Sequence, residues 1–171
     1  HLFMIYPYHI LDWENPEDES RMRLSMNHWQ GNTGYSLTGK AAMLATAGDG
    51  NEALACMKKF FAGWLRPNTL YNESGPVIET PFSAMCSLEE MYLQDWGDCI
   101  RVFHGCPSSW NNVSFKNMRA RGAFLISAER KNGNTASVTV SSEKGGTCRI
   151  HTGITEMMLR VTGDDGQTPQ W

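Results

Sequence analysis

The hydrophobic pattern of this chain changes near Trp96-Gly97. Upstream, apolar residues recur at helical spacing, whereas downstream short runs alternate apolar and polar residues as strands do. A chain of 171 residues is long enough for one domain or two small ones. The pattern therefore predicts an α-then-β chain, with one unit over residues 1–96 and a second over residues 97–171.

Four helices are predicted in the first unit. Asn15-Pro16-Glu17-Asp18 is a strong helix start, because Asn caps a helix, Pro suits its first position and acidic residues suit its first turn. The four predicted helices cover about residues 15–29, 35–47, 51–65 and 81–94, and short Gly-rich loops suggest antiparallel hairpins. We expect the third helix to bury Leu54, Met57, Phe61 and Leu65, and the fourth to bury Phe82, Met85, Cys86 and Leu93.

The second unit reads as a small antiparallel β domain, which we interpret as a β-sandwich. Asn132-Gly133 predicts a hairpin turn, because both residues tolerate positive φ. Strands are predicted over residues 100–103, 123–130, 137–141, 147–151 and 157–161. Residues 164–171 read as a loose tail.

Composition argues against several classes of function. The net charge is -3 and no block of Lys and Arg occurs, which disfavours nucleic-acid binding. No apolar run approaches the roughly 18 residues of a membrane span. The five cysteines include no C-x-x-C pair, so neither a zinc site nor a disulfide framework is indicated, although one disulfide among Cys99, Cys106 and Cys148 stays open. No metal or other cofactor is predicted.

Glu79 is the carboxylate in the most informative stretch, residues 75–94. It ends a short apolar extended run and precedes a predicted helix with Thr80 as N-cap and Pro81 at the first helical position. A carboxylate there faces unpaired N–H groups and the positive end of the helix dipole, so it should stay ionised. It would then suit polarising a neighbour better than acting as a general acid. The alternative is that Glu79 has no functional role, because acidic residues are common at helix starts.

The order of several motifs over residues 1–151 resembles the C-terminal part of glycoside hydrolase family 95, the α-L-fucosidase and α-galactosidase family. Each motif alone is weak, but their shared order and spacing across two fold classes is much more specific. The similar segments are His1-Leu2-Phe3-Met4-Ile5-Tyr6-Pro7, Thr33-Gly34-Tyr35-Ser36, Ala47-Gly48-Asp49-Gly50, Pro76-Val77-Ile78-Glu79, Pro107-Ser108-Ser109-Trp110 and Met118-Arg119-Ala120-Arg121-Gly122.

This resemblance implies a fold and a reaction. Residues 1–96 would be the last helices of an (α/α)6 barrel, followed by the C-terminal β-sandwich. The family hydrolyses α-linked fucosides or galactosides with inversion: a glutamic acid protonates the leaving oxygen, and an asparagine polarised by an aspartate activates water. Glu79 matches that aspartate, while Tyr35 and Glu73 fall at family positions expected to bind substrate. The family's usual substrates imply a periplasmic or extracellular location.

The resemblance also implies that the general acid and the asparagine lie upstream of His1. The chain begins with His1 rather than Met, and its first residues look like the interior of a fold, so we expect a fragment of a longer protein. Its partners would be the N-terminal remainder of that protein and a glycan substrate, with neither nucleic acid nor a membrane span. The isolated chain should be inactive.

Two departures from the family leave other functions open. Glu79 is one methylene longer than the family's aspartate, and the Gly-Asn pair that follows the aspartate is Thr80-Pro81 here. Changed sugar specificity and lost activity both fit these departures. A non-catalytic carbohydrate-binding or scaffold protein on the same fold is the second interpretation. An unrelated helical module fused to a β-sandwich interaction domain is the third.

Overall fold

A computed structural model describes residues 2–68, 71, 73 and 77–154 of the chain. Within these residues, helices precede strands, so the predicted α-then-β order is confirmed. A short 3-10 helix at Leu2–Met4 is followed by α1 (Pro16–His28), α2 (Gly34–Thr46), α3 (Gly50–Trp64) and α4 (Glu79–Tyr92). The strands are β1 (Leu93–Gln94), β2 (Ile100–Val102), β3 (Val113–Ala120), β4 (Phe124–Lys131), β5 (Asn134–Ser142) and β6 (Ile150–His151).

The first two helices begin at capping residues, which confirms the prediction for Asn15 and adds Thr33 as the cap of α2. The Asn15 side chain accepts hydrogen bonds from the backbone N–H groups of Glu17 at 2.9 Å and Asp18 at 3.3 Å. The hydroxyl of Thr33 accepts one from the N–H of Ser36 at 3.2 Å. Each bond satisfies a donor that a helix start leaves without an intrahelical partner. These starts depend on local chemistry alone.

Helices α2 and α4 lie side by side and run parallel. Near their starts, the Thr38 hydroxyl donates to the Ser83 hydroxyl at 2.8 Å. Near their ends, the Gln94 amide donates to the Ala45 carbonyl at 2.7 Å. Because positions on the two helices advance together, their N-termini lie at the same end. The intervening α3 forms an antiparallel hairpin with α2 across the short loop at residues 47–49.

The predicted buried face of α3 was correct for Met57, which is fully buried, and wrong for Phe61. Phe60 is 1% exposed, whereas Phe61 is 43% exposed. The helix buries Ala53, Cys56, Met57 and Phe60. Both candidate faces have helical spacing, and the packing of α3 against α2 selects the one that begins with the small Ala53.

The predicted buried face of α4 was also wrong. Phe82 and Met85 are 54% and 55% exposed among the described residues, and Leu93 is buried as part of β1 rather than of the helix. The helix instead buries Thr80, Ala84, Ser87 and Met91. Three of these side chains are small, so the backbones of α4 and α2 approach closely. The Ser87 hydroxyl uses that approach to donate to the Thr38 carbonyl at 2.7 Å.

The strands form two three-stranded sheets. One has the order β3-β4-β5 and is antiparallel throughout, and the other has the order β1-β2-β6. The β2–β6 pair is parallel, which departs from the predicted all-antiparallel domain. Phe124, Ile126 and Ala128 of β4 are buried with Val102 and Phe103 in one apolar cluster that both sheets share.

Turn and bulge residues set the register of the antiparallel sheet. Asn132 and Gly133 have φ values of 51° and 79°, which confirms the predicted hairpin turn. Strand β3 was not predicted, because a bulge between Phe115 and Met118, with Asn117 at φ 54°, interrupts its apolar alternation. Only residues 150–151 of the predicted strand at 147–151 are paired.

Close backbone contacts join the helices to the strands. A Cβ placed on Gly105 would lie 2.5 Å from the Ala45 carbonyl oxygen, so this approach requires glycine. The buried Arg101 donates to the Trp96 carbonyl at 2.7 Å, stacks 3.5 Å from the Trp96 ring and forms an ion pair with Glu14 ahead of α1. The strands therefore pack directly on the helices.

The remaining predictions concern the end of the chain, its cysteines and membrane spans. The predicted strand at residues 157–161, the tail at 164–171, and the residues His1, Gly75 and Pro76 lie outside the described residues. All five cysteines are free. Over residues 2–68, 71, 73 and 77–154, the structure contains no helix that is long and apolar enough to cross a membrane.

Candidate functional site

Two of the three predicted site residues lie at the same end of the parallel helix pair. Tyr35 is the second residue of α2, and Glu79 is the first residue of α4. One turn further along, the hydroxyls of Thr38 and Ser83 are 2.8 Å apart, so the two helix starts are neighbours. Glu79 is exposed and Tyr35 is 50% exposed, which leaves both side chains open to a ligand or to another part of the protein.

The helix start around Glu79 differs from the prediction. The residue before α4 is Ile78, with helical φ and ψ of -90° and -22°, and it provides no side-chain cap. Thr80 is fully buried, and Pro81 is the third helical residue. Thr80 is needed on the face that packs against α2, and Pro is tolerated because first-turn N–H groups have no intrahelical acceptor. Glu79 still lies at the positive end of the helix dipole.

Several polar side chains at this end of the helices have no hydrogen-bond partner among the described residues. Glu79 forms no hydrogen bond or ion pair with the part of the chain that the structure describes. Within the same part, the buried hydroxyls of Thr80 and Tyr71 lack a partner. A Cβ on Gly34 would lie 2.5 Å from the Tyr71 hydroxyl, so that hydroxyl sits at the start of α2. Buried polar groups without a hydrogen-bond partner are rare in folded proteins. Two such hydroxyls at one helix end are typical of a site where a ligand or another part of the protein supplies the missing partners.

Glu73 is the third predicted site residue. It is half-buried, and among the described residues it forms no hydrogen bond or ion pair. The described ranges also contain no group of three side chains that could hold a metal ion. The chemistry that this end of the helices supplies is therefore that of the Glu79 carboxylate, the Tyr35 and Tyr71 phenols and nearby hydroxyls.

The carboxyl on α4 whose pKa is strongly shifted is Glu90, which sequence reasoning missed. Burial, together with the nearby Asp95 and Glu89, raises its pKa to about 8, and Arg121 opposes this rise. Its position three residues after the buried Ser87 and next to the buried Met91 is the signal that could have found it. Glu90 lies eleven residues after Glu79, or about 16 Å along the helix at 1.5 Å per residue. The carboxyl pair of an inverting glycosidase is only about 6.5–9.5 Å apart, so Glu90 cannot be the acid partner of Glu79.

The raised pKa of Glu90 predicts that stability falls as pH increases. An unfolded glutamic acid releases its proton near pH 4.5, whereas folded Glu90 keeps its proton until about pH 8. Between these pH values the folded state binds more protons, so the free energy of unfolding decreases with pH. Since a tenfold change in acidity is worth about 1.4 kcal/mol, the total loss should be a few kcal/mol.

Urea unfolding measured from pH 4.5 to pH 9 tests this prediction. The Glu90→Gln variant should show a much flatter pH dependence than the wild type, because its side chain cannot titrate. Glu52→Gln removes an exposed carboxylate from α3 and is the control, because Glu52 does not contribute to the shift at Glu90. Parallel pH profiles for the wild type and Glu90→Gln would contradict the assignment.

Comparison with known families covers the β part of the chain. Residues 94–170 match the family model described as glycoside hydrolase family 95, C-terminal domain. The match confirms the resemblance to this C-terminal domain over those residues. No curated protein matches the chain. Tyr35, Glu73 and Glu79 lie upstream of the matched segment, so their roles depend on the motif order and on the helix geometry.

Proposed function

We propose that this chain is the C-terminal part of an inverting exo-α-glycosidase that removes α-linked fucose or galactose from glycans. The matched C-terminal domain supports a glycoside hydrolase with further domains and a glycan substrate. The observation that carries the proposal is the parallel packing of α2 and α4, which puts Tyr35 and Glu79 at one end. An outward-facing location, periplasmic or extracellular, belongs to the same proposal.

In this proposal Glu79 acts through a second side chain. An inverting site needs a general acid on one side of the scissile bond and an activated water on the other. The exposed Glu79 carboxylate accepts a hydrogen bond from the amide of an asparagine that lies upstream of this chain. That bond increases the basicity of the amide oxygen, which then orients and polarises the attacking water.

Tyr35 and Glu73 contact the substrate in this account. An exposed tyrosine presents an aromatic face for stacking on a sugar ring and a hydroxyl for hydrogen bonding. A carboxylate such as Glu73 accepts hydrogen bonds from sugar hydroxyls. Tyr35 lies at the same helix end as Glu79, so substrate binding and catalysis would occur at one place.

The exposed apolar side chains of α4 support the proposal that helices upstream of this chain cover α4 in the whole protein. Ile78, Phe82 and Met85 are 66%, 54% and 55% exposed, and all lie on or beside α4. Neighbouring apolar side chains left open in this way are typical of a surface that is covered in the whole molecule. In an (α/α)6 barrel, the preceding helices would cover that surface and would bring the general acid to the start of α4.

A non-catalytic glycan-binding protein is the second candidate. The observation that favours it is that Glu79 has a longer side chain than the family's aspartate and is followed by Thr80-Pro81 instead of Gly-Asn. Catalytic positioning tolerates errors well below about 1 Å, whereas a binding site tolerates more.

Incubation of the intact protein with α-L-fucosides and α-galactosides separates the two candidates. Release of free sugar supports the glycosidase. Saturable binding of these glycosides without release supports the binding protein. If neither release nor binding occurs at millimolar glycoside, both candidates fail.

A further inference from the structure

A polar cleft lies between the two sheets, among the strands rather than at the helix starts. Its volume is about 190 Å³. The end of β2, the β4–β5 hairpin and the end of β6 form its walls, and their side chains in the cleft include Phe103, His104, Arg130, Asn134, Thr135 and His151. Pockets for drug-sized ligands measure about 300–1,000 Å³, so this cleft suits a small molecule or one residue of a chain.

Arg130 is the only charged side chain of fixed sign among the described residues that line the cleft. On β4 it continues the inward-facing series of Ile126 and Ala128, and the register shifts next to it, between Glu129 and Arg130. A cation therefore occupies a position that the strand pattern otherwise reserves for apolar side chains.

The guanidinium of Arg130 lacks a partner among the described residues. Its Nε is buried without a hydrogen bond, and it forms no ion pair there. The charge of Arg130 also acts on Cys106: burial raises the pKa of the Cys106 thiol, and Arg130 opposes that rise. A buried donor without an acceptor destabilises the folded state, more so when it is charged, so an anionic group from outside the described residues would relieve this cost.

The other polar groups in the cleft suit an anion that also carries hydroxyls. Desolvation lowers the pKa of His104, and the nearby Arg101 and His151 lower it further. His104 is thus neutral at pH 7 and offers one donor and one acceptor. Asn134 and Thr135 add an amide and a hydroxyl at the opposite wall. Glu14, the acidic residue that acts on both histidines, is engaged by Arg101.

We propose that this cleft binds one acidic sugar residue, a hexuronate, whose carboxylate pairs with Arg130. A guanidinium matches a carboxylate with two parallel hydrogen bonds. The hydroxyls of the sugar ring meet Asn134, Thr135 and the imidazoles, and Phe103 offers apolar contact to the ring. The inference is independent of hydrolysis at Glu79, because it concerns binding at the strands.

The test is a titration of the intact protein with free glucuronate, followed by NMR or calorimetry. Glucose and acetate are the comparison ligands, because each supplies only half of the proposed chemistry. Glucuronate should bind at least tenfold more tightly than either. A glucuronate oligosaccharide as a further ligand distinguishes a free acid from a residue within a glycan chain, and binding of either form supports the site.

Two matched variants locate the binding. Arg130→Gln should weaken glucuronate binding by about 10- to 100-fold, as expected for loss of a charge-assisted hydrogen bond. Lys131→Gln removes the same charge from the next residue, which is exposed and paired with Glu129 at 3.0 Å, and should leave affinity unchanged. Thr135→Val should weaken glucuronate binding and spare any binding of acetate, which keeps the test valid if Arg130→Gln does not fold.

Three outcomes would overturn the proposal. The first is failure of the wild type to bind glucuronate, as expected if a carboxylate of this protein already occupies the cleft. The second is equal affinity for glucose and glucuronate. The third is equal loss of affinity in Arg130→Gln and Lys131→Gln.

Discussion

The Glu79→Gln variant of the intact protein should hydrolyse its best α-glycoside with a kcat/KM about 10²- to 10⁴-fold lower than the wild type. This is the range expected when a group that assists proton transfer is lost. The amide is nearly isosteric but carries no charge, so it cannot polarise an asparagine to the same extent. Because the proposed role of Glu79 is to act on the water rather than on the sugar, the loss should appear in kcat, with KM little changed.

Glu52→Gln is the matched control for this experiment. Glu52 is also an exposed acidic residue in the first turn of a helix, but it begins α3, which runs opposite to α4. Both variants lose a favourable interaction with a helix dipole, worth about 0.3–1 kcal/mol. Activity within threefold of the wild type in Glu79→Gln, or an equal loss in Glu52→Gln, would remove Glu79 from the mechanism.

Phe60→Ala should lower the free energy of unfolding by about 3–5 kcal/mol, the usual cost of removing a buried phenylalanine. Phe60 is 1% exposed, and its ring centroid lies 5.9 Å from that of Tyr71. The ring therefore joins α3 to the residue that packs on the start of α2, and its loss leaves a cavity there. Urea unfolding at 25 °C, followed by tryptophan fluorescence, measures the change.

The neighbouring Phe61→Ala variant is the control for Phe60→Ala. Phe61 is 43% exposed, so its truncation should cost less than about 1 kcal/mol. The pair of variants decides which face of α3 is buried, because sequence spacing favours neither. A larger loss for Phe61→Ala than for Phe60→Ala would show that the helix faces the other way.

Features that depend on neighbouring residues in the chain could be predicted from sequence. Asn15 and Thr33 cap their helices through bonds that span two or three residues, and Asn132-Gly133 turns the hairpin through its own backbone preference. The helix faces were harder to predict. On α4 the small residues Ala84 and Ser87 are buried, because they allow the close parallel packing on α2 that a single-helix pattern does not contain.

The candidate sites also combine features that local sequence predicts with features that depend on packing. Glu79 could be identified from its motif, but its neighbourhood with Tyr35 depends on the parallel arrangement of α2 and α4, which no local pattern specifies. Arg130 could have been noticed as a cation continuing the apolar face of β4. That its guanidinium lacks a partner depends on how the two sheets pack.

The stereochemistry of hydrolysis tests the central claim most directly. Proton NMR can identify the anomer of free sugar that the intact protein releases from an α-fucoside or α-galactoside, before mutarotation mixes the anomers. An activated water attacking from the face opposite the leaving group predicts the β anomer as the first product. The α anomer as first product would require a covalent glycosyl-enzyme intermediate and would contradict the role proposed for Glu79.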